Sequence, residues 1–258
     1  MILCIDIGNS LVHLGLFDKD QLKLQFRYNS RESMSSDQFG IFIKSVLQEN
    51  AINCSEIKHA TICSVVPELD YSIRAAVIKY LKIDPFFLNI GAETGLKIKR
   101  SNPSEIGADL IATAIGAVDI YPKTDLMVVD MGTATTVCAV TKEHEFLGGA
   151  ILTGLKASAK ALQTSTAKLG AVEIVKPAAG LGKNTKENIQ IGLFYGHLGA
   201  VREITDYLAK QTFAKMPYKI IGTGGFSELY KNEDLFDKVV PELALRGLNK
   251  LHYMNLGK

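Results

Sequence analysis

Leu126-Met127-Val128-Val129-Asp130-Met131-Gly132-Thr133-Ala134-Thr135-Thr136-Val137 is the stretch on which the fold turns. Its first part is an apolar run with too few polar interruptions to face water, the pattern of a strand buried on both faces. A carboxylate follows at the strand end, then a glycine, then small residues rich in hydroxyls. Glycine lets a backbone come close to a ligand, and successive N–H groups with hydroxyls in a tight turn can cradle phosphate oxygens. The same construction occurs at the N-terminus, in Ile2-Leu3-Cys4-Ile5-Asp6-Ile7-Gly8-Asn9-Ser10. A strand running into Asp-x-Gly, present in both halves of the chain, predicts a duplicated α/β architecture.

The rest of the chain is compatible with that reading. At 258 residues it could form one large domain or two of roughly 100–200 residues each, and the duplication favours two. Hydrophobic residues at 47% and charged residues at 22% describe a globular protein. A net charge of +2 gives no concentrated basic stripe, so no nucleic-acid partner is expected. No apolar run approaches the ~20 residues that span a bilayer, so no membrane partner is expected. The opening Met1-Ile2-Leu3-Cys4-Ile5-Asp6-Ile7-Gly8 reads as a first strand and not as a signal peptide. Cys4, Cys54, Cys63 and Cys138 form no Cys-x-x-Cys pair, so buried reduced thiols in a cytoplasmic protein are expected.

Along the chain, strands are expected at Leu11 to Asp18 and Leu22 to Tyr28, then a polar loop from Ser30 to Ser36. Asp37 is a candidate N-cap for a helix reaching about Glu49. A strand from His59 to Val65, a helix opened by Pro67 and running to Leu81, and a strand from Phe86 to Ile90 follow. The helix Ile106 to Ile120, rich in small residues, is expected to bridge the halves. The second half repeats the order, with strands at Leu126 to Gly132, Thr135 to Thr141 and Glu145 to Ile151. Helices at Gly154 to Lys168 and Thr185 to Gln211, a strand at Lys219 to Gly222 and a helix at Pro241 to Leu251 complete it. The expected domains are residues 1–120 and 121–258, with a cleft between them.

The Walker pattern is absent, and the anion-cradling candidates are the two Asp-x-Gly turns and Gly222-Thr223-Gly224-Gly225. Carboxylates at the ends of buried strands are costly to desolvate without a cation or a proton, so an ion near Asp6 or Asp130 is expected. Asp109 stands early in the small-residue helix, where it either favours the helix dipole or lies at a ligand site. Gly148-Gly149 is either a β-bulge or a close approach to a ligand, and Asn184 or Thr185 suits a helix N-cap. The five histidines show neither metal-ligand spacing nor a nucleophile partner and are read as structural or surface groups.

Taken in order, Asp6 to Ser10, Asn102 to Leu110, Asp130 to Val137, Gly148 to Ile151, Gly182 to Thr185 and Gly222 to Gly225 resemble the motifs of type III pantothenate kinases over nearly the whole chain. The resemblance implies an α/β fold of duplicated ribonuclease H-like (actin-like ATPase) domains, a homodimer, and phosphorylation of pantothenate by ATP at the start of coenzyme A synthesis. It implies that Asp6, Ile7, Gly8, Asn9, Ser10, Leu11, Val12 and His13 line the ATP phosphates, and that Thr133 contacts ATP. Asp109 would be the general base on the pantothenate hydroxyl, Asp130 would hold potassium or ammonium, and Thr185 would contact pantothenate. Magnesium would arrive with the nucleotide. The acceptor-binding set carried over is Arg100, Gly107, Ala108, Asp109, Leu110 and Thr185.

Departures from the family pattern fall on the acceptor side. Leu110 stands where arginine is usual, and Arg100 where tyrosine is common. Val137-Cys138 replaces a common Phe-Asp, Thr153-Gly154 a common Pro-Gly, and Ser10 a threonine. Arg100 is therefore expected to supply the cation missing at position 110 for the pantothenate carboxylate. The alternatives are a kinase of another small alcohol and a regulatory protein like the Bvg accessory factors.

Overall fold

The structure is a computed structural model that describes all residues except 31–33, 166–169, 179, 214–215 and 257–258. It divides into two compact units, one of residues 1–96, 101–120 and 242–258, the other of residues 97–100 and 121–241. The expected domains 1–120 and 121–258 differ from these units chiefly in the last segment, which packs with the N-terminal residues.

In the first unit, β1 (Ile2–Ile7), β2 (Leu11–Asp18) and β3 (Gln21–Asn29) form an antiparallel meander. The strand β4 (His59–Ser64) adds parallel to β1, and β5 (Phe86–Phe87) adds to β4. Among the described residues the sheet order is β3-β2-β1-β4-β5. β5 is shorter than the expected Phe86 to Ile90, because Asn89 turns the chain by accepting from Gly91 N–H at 2.8 Å.

The helix α1 (Ser36–Glu49) buries Phe39, Ile43 and Leu47 at helical spacing against one face of this sheet. Its N-cap is Ser35 and not Asp37. Ser35 and Gln38 exchange the reciprocal bonds of a capping box, a spacing that Asp37 does not have. Asp37 instead sits in the exposed first turn, accepting from Lys79 Nζ at 2.6 Å and Tyr80 Oη at 2.8 Å. The loop expected at Ser30 to Ser36 lies partly outside the described residues, as does the end of the helix expected to reach Lys168.

Two further helices of this unit, α2 (Pro67–Ala76) and α3 (Ala108–Ile120), continue the alternation of strand and helix. In the second unit, β6 (Lys97–Ile98) pairs with the far end of a meander built from β7 (Asp125–Met131), β8 (Ala134–Val140) and β9 (Glu145–Thr153). The helices α4 (Leu155–Ser165) and α5 (Thr185–Thr212) follow, then β10 (Tyr218–Thr223) parallel to β7 and β11 (Lys238–Val239) at the edge. The order is β11-β10-β7-β8-β9-β6 among the described residues. Each unit thus contains a meander whose first strand ends in Asp-x-Gly.

The chain ends in α6 (Leu243–Met254), which packs on α3 inside the first unit. The contact is close enough that a Cβ on Gly247 would overlap the Ala112 carbonyl oxygen, and one on Gly116 the Leu243 carbonyl oxygen. The small residues of α3 serve this intramolecular helix pair. Beneath it, Ile2, Cys4, Phe17, Cys63, Ile115, Leu245, Leu248 and Leu251 form a core with almost no exposed surface.

Candidate active site

In the first unit, three elements converge. β1 delivers Asp6 at its C-terminal end, parallel β4 places Cys63 at the same register, and the first turn of α3 carries Asp109. Residues in register on neighbouring strands present their side chains on the same face, and Cys63 Sγ lies 3.3 Å from Asp6 Oδ1. Burial first, and then the charge of Asp109, push the Asp6 carboxyl up from 3.8 to about 7, against the opposing hydrogen bond from Cys63. Asp109 is also raised by burial, offset in part by backbone N–H donors, including Leu110 N at 2.7 Å from Oδ1. Asp109 folds back over Gly107, where a Cβ would overlap its Oδ1. The helix-start role and the ligand role of Asp109 are therefore compatible.

The first turn is an ordered hairpin. Gly8 N–H donates to the Leu11 carbonyl at 3.1 Å, and Ser30 Oγ donates to the Gly8 carbonyl at 2.7 Å. That commits the Gly8 amide within the protein, so an anion at this turn must be met by its other groups. Ile7 and Val12 are wholly buried in the core, which leaves only their backbone available. His13 sits opposite Asp6 across β1 and β2, and its ring pairs with Gln25 Oε1 at 3.2 Å. Burial and Arg27 depress His13 to about 4, so the ring is neutral near pH 7 and brings no charge to a phosphate.

In the second unit, the Asp130-Met131-Gly132-Thr133 turn is packed by glycines from two other segments. A Cβ on Gly224 would overlap Asp130 Oδ1, and Gly224 has φ +84°, a backbone region that favours glycine. A Cβ on Gly154 would overlap the Thr133 carbonyl oxygen and lie 2.9 Å from that of Gly132. Phe226 N–H donates to the Met131 carbonyl at 3.2 Å, tying the Gly222–Gly225 turn to the Asp130 turn. Asp130 is in register with Thr136 on β8 and with Thr223 on β10, so the three side chains lie side by side on one face.

Thr136 Oγ1 is buried and has no hydrogen-bond partner among the described residues. A carboxylate beside an unsatisfied buried hydroxyl oxygen is a donor set that suits a hard cation. Among the described residues no cluster of three or more His, Cys, Asp or Glu side chains stands ready for a metal.

Arg100 follows β6, which is anchored to β9 by Lys97 N–H to the His144 carbonyl at 2.8 Å and Lys99 N–H to the Phe146 carbonyl at 2.9 Å. Its side chain crosses Gly148, where a Cβ would come within 2.8 Å of both Cδ and Nη1. Gly148, at φ +101°, lies beside a register shift opposite Ala139 and Val140. The bulge reading of this glycine pair holds, and the group that approaches it is an arginine of the same chain. Thr185 opens α5, whose N-cap is Asn184, with its side chain accepting from Glu187 N–H at 3.0 Å. Thr185 is exposed in that first turn.

Sequence reading missed the Cys63 contact, because nothing local links residues 6 and 63. It also missed the hydrogen bond between Thr135 Oγ1 and His197 Nε2, 3.0 Å and buried, which pins the strand after the Asp130 turn to α5. Periodicity could have found the second only by placing both residues on inward faces.

Strand-end carboxylates followed by glycine turns, on two mixed-sheet units with the same opening meander, define an actin-like ATPase fold of the kind used by small-molecule kinases. A protein from Sinorhizobium meliloti proposed to be a 2-dehydro-3-deoxygalactonokinase shares this fold with TM-score 0.65 and 14% identity, over 100% of this chain and 98% of that one. A Campylobacter jejuni protein proposed to be a Baf family transcriptional activator does so with TM-score 0.60 and 22% identity, over 98% of each chain. At these identities both speak to the fold alone.

Residues 2–207 match the family described as type III pantothenate kinase. The type III pantothenate kinase of Legionella pneumophila (strain Corby) is 49% identical over 255 residues, which cover 99% of each chain. The chain belongs to the type III pantothenate kinase family. No helix among the described residues is long and apolar enough to cross a membrane.

Proposed function

We propose that the chain transfers the γ-phosphoryl group of ATP to the hydroxyl of pantothenate, giving 4'-phosphopantothenate and ADP at the start of coenzyme A synthesis. The observation that carries the mechanism is the partly buried Asp109 carboxylate at the start of α3, made more basic by burial. In phosphoryl transfer the pantothenate oxygen bonds to the γ-phosphorus as the bond to the β-phosphate oxygen breaks. The hydroxyl proton then passes to Asp109. Because the transition state is loose, the base acts late and most of the work is positioning and electrostatics.

The turn from Asp6 to His13 contributes backbone groups and the Asn9 and Ser10 side chains to the phosphates, and Thr133 contacts ATP. Asp130 holds potassium or ammonium, with Thr136 Oγ1 as a neighbouring oxygen. The ion supplies fixed positive charge near the phosphates when bound, and magnesium enters with the nucleotide. Gly107, Ala108, Leu110 and Thr185 shape the acceptor site, and Arg100 takes the pantothenate carboxylate. Its side chain is seated on Gly148, which supports this role. The working form is a homodimer in a reducing cytoplasm, which suits four free cysteines.

An ADP-release assay with pantothenate, other primary alcohols or no acceptor, each with potassium or sodium, tests this reading. Turnover that needs both pantothenate and potassium is the expected result. Equal turnover on unrelated alcohols would overturn the acceptor, and equal rates in sodium would overturn the cation.

A further inference from the structure

Cys63 is unused in the scheme above, yet it touches the site. Its side chain has no solvent exposure and lies in an apolar cluster with Ile2, Phe17, Ile115, Leu245 and Leu248. Within that cluster the Asp6 carboxylate is its hydrogen-bond partner, at 3.3 Å and in parallel register. An ionised carboxylate only accepts, so the thiol donates. This ties down Oδ1 and limits rotation of the Asp6 head group.

We propose that Cys63 is a positioning residue for phosphoryl transfer, its thiol holding the Asp6 carboxyl in one orientation beside Asp109. The inference rests on the nucleotide and base roles proposed for the first turn and for Asp109. The geometry makes the thiol a clamp, and its hydrogen bond works against the burial and like charge that act on Asp6. The charged group that acts on Asp6 is Asp109 from α3; His13 lies opposite Asp6 on β2, and Arg27 from β3 and Glu242 ahead of α6 act on His13. His13 is neutral near pH 7, and α6 otherwise presents leucines. The burden on Asp6 is therefore burial and the like charge of Asp109, and the thiol opposes both.

The test is the pH profile of kcat/KM for ATP at saturating pantothenate, for the wild type, Cys63→Ala and Cys63→Ser. Removing the donor should move the acid limb upward by about 0.5–1 pH unit, a roughly 3- to 10-fold loss of rate on the acid side. Serine, a stronger donor, should return the limb to the wild-type position or below it. Thermal denaturation of both variants separates this from misfolding, and if the alanine variant does not fold, Cys63→Val, which keeps the volume without the donor, takes its place. Superimposable limbs in all three proteins would overturn the inference, as would an equal upward shift in both variants. Absence of pantothenate-dependent ADP release in the wild type would instead refute the underlying reading, and this inference with it.

Discussion

Replacing Asp6 by asparagine should stabilise the protein while crippling it, and the gain should depend on pH. Asp6 titrates at about 7 when folded, against 3.8 for the free side chain. Because the folded value lies above the unfolded one, the folded chain holds the proton more tightly between about pH 4 and 7. Stability from this group is full below that window and is lost as pH rises through the folded value. Asparagine mimics the protonated acid in size and charge, so it escapes the loss. At roughly 1.4 kcal/mol for each tenfold change in proton affinity, the rise from 3.8 to about 7 corresponds to at most about 4 kcal/mol. Asp6 keeps some contact with solvent, so about 2 kcal/mol is the working figure. In a chain of this size that is a rise in Tm of about 4–8 °C. Differential scanning calorimetry of wild type and Asp6→Asn at pH 5 and pH 8 reads it. The gain at pH 5 should be roughly 40% of the gain at pH 8, with kcat/KM for ATP reduced at both. An asparagine variant destabilised equally at the two pH values would refute the reasoning, because Asp6 would then be a favourable hydrogen-bonding anion.

Three other perturbations have defined outcomes. Gly247→Ala should destabilise the first unit by about 1–3 kcal/mol, since its Cβ would overlap the Ala112 carbonyl oxygen and force α3 and α6 apart; urea unfolding reads the shift in midpoint. Gly224→Ala should cost about 1–3 kcal/mol from its positive φ, and should weaken potassium activation because the new Cβ displaces Asp130 Oδ1. An unchanged potassium titration in that variant would contradict the placement of the ion. Arg100→Ala should raise the KM for pantothenate about tenfold or more and leave the KM for ATP within about twofold, as loss of a charge-assisted bond to a carboxylate predicts. Steady-state kinetics with each substrate varied in turn would show whether it does.

The parts of the fold that are legible in sequence are those written locally. The β7 run into Asp130 and the β1 run into Asp6 announce their strands and turns by unbroken apolar residues followed by Asp-x-Gly. α1 and α5 announce themselves by helical spacing and caps, though at α1 the capping box at Ser35 outcompetes the nearer Asp37. What stays hidden is set by distant partners. The placement of α6 in the first unit depends on Gly116 and Gly247 meeting across helices, and neither glycine differs locally from one in a loop. The two-residue strand β6, which seats Arg100 on Gly148, is too short to carry a period. Among the candidate residues, Asp6, Asp109 and Asp130 stand out as carboxylates near glycine. The coupling of Asp6 to Asp109 through burial, and the clamp from Cys63, come from strand register and helix packing that no local pattern encodes.

The central claim is that Asp109 removes the proton from the pantothenate hydroxyl. Its most direct test is the pantothenate-dependent kcat of Asp109→Asn in saturating ATP, magnesium and potassium, measured alongside nucleotide affinity by fluorescence titration. The account predicts a fall in kcat of about 100- to 10,000-fold, the usual contribution of a general base, with ATP affinity within about threefold of wild type. A variant that keeps wild-type kcat, or that loses ATP binding in proportion to its activity, would contradict it.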